Sequence, residues 1–148
     1  MRLRRWAIAI PAVKASICAA IGLLALTLAL TLRGGQYDLL PVALGIVSMP
    51  VLLGAITYVL AAFLLSRGGL VWRSLGASLE VAATLVIAWQ LIQLHYALWD
   101  IFRNSVWIAL PAIWAAPSVL VVAGAFWPIS RDGRALPSPT GSVDIAKR

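Results

Sequence analysis

Charge is what this chain has least of. Lysine, arginine, aspartate and glutamate make up 11% of its 148 residues, and only 5 residues are acidic. A soluble domain carries about 25% charged residues, because they keep its surface compatible with water. This chain cannot build such a surface, so its outer face must meet lipid. Cysteine and histidine are equally scarce, at one each. A lone thiol excludes an intramolecular disulfide and paired-cysteine redox chemistry. Cys18 falls inside the first hydrophobic run and reads as a small packed residue. His95 has no second ligand type near it, so no metal site is assigned. No glycine-rich phosphate loop and no nucleophile–base constellation is present. No catalytic residue and no cofactor is therefore expected, and an enzyme is the least expected class.

What the chain does have is apolar length. Hydrophobic residues make up 62% of it, and its mean hydropathy is +0.96. Uncharged stretches cover residues 15–32, 39–66, 81–99 and 104–130. A helix needs about 20 residues at 1.5 Å each to cross a hydrocarbon core of about 30 Å. These stretches are too long for strands and lack the alternation of a barrel wall. Lipid cannot satisfy backbone polar groups, so they must be helices. Gly34 and Gly35 can close the first, and Gly68 and Gly69 the second. Asp100 to Arg103 forms a tight link to the fourth. Short links make sequential helices antiparallel neighbours.

The expected fold is all-α: an integral membrane four-helix up-down-up-down bundle over residues 1–130. Its spans are placed near 7–32, 39–66, 74–100 and 104–129. A polar tail over 131–148, with Pro137, Pro139 and Gly141, buries too little to order itself. The first run is longer than the apolar core of a signal peptide and lacks a good cleavage site, so it is read as a retained span.

Lysine and arginine set the direction. Of the 12 basic residues, only Arg33 and Arg103 fall on one side of this arrangement; the other ten fall opposite. Positive residues stay inside, so both termini are expected in the cytoplasm. Trp6, Trp72 and Trp127 mark the inner boundary; Tyr37, Trp99 and Trp107 mark the outer one. The net charge of +7 is assigned to this asymmetry and to anionic headgroups, not to nucleic acid. Arginine in excess of lysine, with abundant alanine and leucine, suits a bacterial inner-membrane protein from a GC-rich genome.

Few polar groups lie within the spans, and these are the candidates for function. Lys14 is expected to snorkel to the inner interface. Glu80 is expected at the same interface, paired with Arg67 or Arg73. The outer half of the third helix carries Trp89, Gln93, Tyr96 and Asp100 within about 60° of arc, with Gln90 at the edge. Amides at that depth should face protein, so this stripe is expected to face the bundle or a contact with another subunit, with Trp114 of the fourth helix against it and Leu91 and Leu98 towards lipid. The stripe is either a helix contact or a ligand wall. Small-residue pairs at Ala15/Ala19, Ser16/Ala20, Ser78/Ala82 and Ala112/Ala116 permit close helix contact.

The expected function is a non-enzymatic accessory or structural subunit, or a scaffold, of a membrane complex. Its partners are the bilayer with its anionic headgroups and other membrane subunits or a second copy. The alternatives are a small oligomeric transporter and a lipid- or quinone-binding protein. Small multidrug transporters need a carboxylate deep in the first helix, and this first span has none.

Overall fold

The computed structural model describes residues 2–32, 39–67, 69–97 and 106–127. Among these residues there are four helices and no strand: α1 (Arg2–Thr31), α2 (Leu39–Ser66), α3 (Leu70–Ala97) and α4 (Val106–Phe126). All four are long and apolar enough to cross a membrane, over Leu3–Thr31, Pro41–Ser66, Leu70–Leu94 and Ala109–Phe126. Helix α1 begins at Arg2, earlier than the expected residue 7, because arginine is a good helix former and nothing before Pro11 breaks the turn. Helix α3 begins at Leu70, immediately after the glycine pair. The polar tail, Asp100 and Leu98 lie outside the described residues.

Four prolines sit in helix interiors, past the first turn: Pro11, Pro50, Pro111 and Pro117. Each removes one backbone donor, which a bilayer helix tolerates when neighbouring helices surround the site. Pro11 is fully buried.

Among the described residues, α1 packs on α2, α2 on α3, α3 on α4 and α4 on α1, with little backbone contact across the two diagonals. The inside is made of small residues: Ala7, Ala15, Ala55, Ala61, Ala77, Ala83 and Ala125 are all buried. The outside carries the bulk, including Leu24, Ile46, Leu53, Ile56, Val71, Leu85 and Val119. This inverts the soluble pattern. Lipid solvates leucine as well as protein does, so helices gain most by bringing small residues together and letting backbones approach. At Gly76 a β-carbon would meet Leu65 Cγ at 2.9 Å and the Ala61 carbonyl at 3.0 Å. At Gly124 it would meet Ala7 Cβ at 2.7 Å and the Leu3 carbonyl at 3.0 Å. Glycine is what lets α2–α3 and α1–α4 touch there. Of the expected small-residue pairs, Ala15/Ala19 faces inward, while Ser16/Ala20, Ser78/Ala82 and Ala112/Ala116 face outward.

Two apolar clusters fill the bundle. One gathers Ala15, Cys18, Ala55, Tyr58, Ala83 and Ile87; the other gathers Leu65, Ala77, Val121 and Ala125. A buried polar network shares the interior with them.

Candidate functional site

Lys14, on the buried face of α1, is 4% exposed. It does not snorkel. Its ammonium donates to Glu80 Oε1 at 2.7 Å, to Thr84 Oγ1 at 2.9 Å and to Ser118 Oγ at 2.7 Å. An ammonium has three protons, and all three are committed. Glu80 is 0% exposed. Its Oε1 also accepts from Thr84 Oγ1 at 3.1 Å and from Ser118 Oγ at 2.9 Å. Thr84 stands four residues after Glu80 on α3, one helical turn, so both point the same way.

Tyr58 of α2 and Trp114 of α4 complete the network. Trp114 Nε1 donates to Tyr58 Oη at 3.1 Å. Tyr58 Oη lies 3.0 Å from Thr84 Oγ1, and the tyrosine donates because the single hydroxyl proton of Thr84 goes to Glu80 Oε1. The two rings meet edge to face, with centroids 6.2 Å apart and planes at 65°. The Lys14 ammonium sits 5.5 Å from the Tyr58 centroid and 5.6 Å from that of Trp114. Both distances fall within the range of a cation–π attraction.

Each helix thus contributes. Lys14 and Glu80 bridge one diagonal of the bundle, and Tyr58 and Trp114 bridge the other. Long side chains fill the centre that the four backbones leave open. The network sits near the middle of the apolar spans. Lys14 lies about 16 Å above the start of its span at Leu3, and Glu80 about 15 Å above Leu70. Ser118 is near the middle of Ala109–Phe126.

A charge pair at that depth is costly to desolvate. Here the pair is neutral in sum, and its ammonium is fully hydrogen-bonded. Glu80 Oε2 is the exception: it is buried and has no hydrogen-bond partner among the described residues. Leaving such an atom unpaired costs about 1–3 kcal/mol.

The expected pairing of Glu80 with Arg67 or Arg73 is therefore corrected. The partner of Glu80 is Lys14, 66 positions away in sequence, and Glu80 is deep in the bundle instead of at the interface. Arg67 is exposed and lies over the Phe63 ring, 4.5 Å from its centroid. Arg73 is buried and donates to the carbonyls of Gly124 at 3.4 Å and Trp127 at 3.3 Å. The last carbonyls of a helix lack intrahelical partners and carry its negative dipole end, so a guanidinium there caps α4.

The outer stripe does not face the interior of its own bundle. Trp89 is 60% and Tyr96 70% exposed, and Gln93 is exposed too. Gln90 is half-buried, and Leu91, expected to face lipid, packs on the core. The reason is rotational. Glu80, Thr84, Ile87 and Leu91 form the inward face of α3, and Gln93 stands about 140° from Glu80. The stripe therefore looks outward, with Gln93 next to the end of the span Leu70–Leu94. Trp114 does not join it, but turns into the bundle against Tyr58. Asp100 and the His95 side chain lie outside what is described.

Beside the network, α1 and α4 enclose an apolar groove of about 330 Å³ on the bundle's flank. No group of three His, Cys, Asp or Glu gathers among the described residues. No protein family, curated protein or solved structure matches the chain.

Sequence reasoning missed Tyr58, Thr84 and Ser118 as functional positions. Hydroxyls are common in membrane helices, where they bond their own preceding turn, as Thr27 and Thr57 do here. One signal was present: the spans hold one lysine and one deep carboxylate, and a bilayer interior favours their pairing.

Proposed function

We propose that this chain is a non-enzymatic accessory or structural subunit of a membrane complex. It is built as an up-down-up-down bundle in a bacterial inner membrane, with both termini in the cytoplasm. The observation that carries this reading is that the donors of the polar network are used within the bundle. All three protons of Lys14 point at internal acceptors. The hydrogen-bond chain ends at the Trp114 indole, which can donate but not accept. Such an arrangement fixes how four helices meet. Buried ionic groups serve this specifying role in some systems.

The sequence order of the contacting pairs supports the antiparallel arrangement. Gly22 lies against Leu52, and Lys14 against Tyr58. Gly54 lies against Ile87, and Gly76 against Leu65. Ser118 meets Lys14, and Gly124 meets Ala7. In each pair one helix descends as the other ascends. The basic asymmetry of the sequence supports the orientation. An alkaline phosphatase fusion at residue 148 should be inactive, and an active one would overturn it.

Affinity purification in a gentle detergent, followed by native mass spectrometry, tests the function. A stoichiometric protein partner or a defined homo-oligomer is expected. A monomer without partner at every detergent concentration would refute the reading. A transporter is the second reading, and the unpaired Glu80 Oε2 at mid-span favours it. It requires proton- or cation-dependent uptake into vesicles that is lost on Glu80→Gln.

A further inference from the structure

The groove between α1 and α4 is independent of the subunit reading. We infer that it binds one acyl chain of an anionic phospholipid, whose phosphate sits at the Arg4–Arg5 end. Three observations carry this.

The first is the lining. Trp6, Ile10, Val13, Ile17, Ile113 and Trp114 form most of it, and the volume is about 330 Å³. Small-ligand sites start near about 300 Å³ and add a few placed polar groups for orientation. This groove adds none. Lys14 borders it, but its three protons turn inward to Glu80, Thr84 and Ser118. The Trp114 N–H is likewise spent on Tyr58. A quinone needs donors for its carbonyl oxygens and finds none free. A hydrocarbon chain needs none.

The second is length and depth. On α1 the groove runs from Trp6 to Ile17, about 16 Å along the axis. That is close to half of a hydrocarbon layer about 30 Å thick. Trp6, 62% exposed, sits at the polar end where indoles settle. The other end stops near the depth of the Lys14–Glu80 pair. The groove therefore spans one leaflet, the reach of one acyl chain hanging from its own headgroup.

The third is charge. Arg4 and Arg5 are exposed and directly precede Trp6. Glu80 is the only acidic side chain among the described residues, and it is paired with Lys14. The two arginines thus have no carboxylate partner there. Surface arginines attract anionic headgroups with an energy equivalent to about fivefold in occupancy each.

The test is native mass spectrometry of the full chain. The protein is released from nanodiscs holding equal phosphatidylglycerol and phosphatidylcholine of identical acyl chains. One retained phosphatidylglycerol per chain is expected, in several-fold excess over phosphatidylcholine. Val13→Trp fills the groove and should abolish retention of both lipids. Ala9→Trp, also on the lining, should do the same, and serves if the first variant fails to fold. Leu53→Trp, on the lipid-facing side of α2, should leave retention intact. Arg4→Gln with Arg5→Gln should erase the headgroup preference. The proposal is overturned by wild-type protein without retained lipid, by equal retention of the two headgroups, by a retained quinone, or by retention indifferent to both tryptophan variants that fold.

Discussion

Replacing Lys14 with methionine removes one charge from the centre of the bundle while keeping an unbranched chain of similar length. Glu80 Oε1 then loses its 2.7 Å partner, and the acceptor roles of Thr84 and Ser118 towards the ammonium vanish with it. Charge-assisted bonds are worth about 1.5–3 kcal/mol each. Three of them sum to roughly 5–9 kcal/mol, an upper bound, because the hydroxyls re-bond to one another and to the carboxylate. Measured losses for breaking a buried pair by removing one partner are about 3–5 kcal/mol, and that range is expected here. Glu80→Leu should cost about the same, since it strands the ammonium instead. The double variant, Lys14→Met with Glu80→Leu, leaves neither charge and should be less destabilised than either single change. The coupling should exceed about 2 kcal/mol. Reversible unfolding in mixed micelles by SDS titration, followed by tryptophan fluorescence, measures all three. If the double loss equals the sum of the single losses, the pair does not exist in the folded protein. If each single loss is under about 1 kcal/mol, the pair is solvated as a surface pair would be.

Tyr58→Phe removes the oxygen that joins Trp114 Nε1 to Thr84; in the same assay it should cost about 0.6 kcal/mol and at most about 1.7, the range for interhelical bonds in membranes. Gly76→Leu drives a side chain into Leu65 and the Ala61 carbonyl and should destabilise by about 1–3 kcal/mol or more. Gly45→Ala, with nothing within 4 Å of its β-carbon, should instead be neutral or stabilise by up to about 1 kcal/mol; equal effects at both glycines would contradict the packing. Cys18 is 2% exposed, so its reaction with a maleimide should be slow in the folded protein. It should accelerate in Lys14→Met as the bundle loosens, and rapid labelling of the wild type would place Cys18 on the wrong face.

The sequence alone determined the all-α class and four helices long and apolar enough to cross a membrane. Length and the near-absence of charge suffice for that, because a bilayer leaves no alternative to the helix for a long apolar segment. The starts of α2 and α3 followed from the residues at the turns, to within a few positions. The sequence did not determine which face of each helix turns inward. In water an amphipathic stripe would show it, but here lipid and core are both apolar and the helices are apolar nearly all round. The inward face of α3 is not the face of the outer amides: rotation about the axis is set by Glu80, on the opposite side from Gln93. The pairing of Glu80 was equally out of reach. Arg67 and Arg73 are near it in sequence, whereas Lys14 is on the first helix and 66 positions away. Only the closed ring of helices brings α1 and α3 across a common diagonal. There a lysine and a glutamate, each too costly to bury alone, become affordable together.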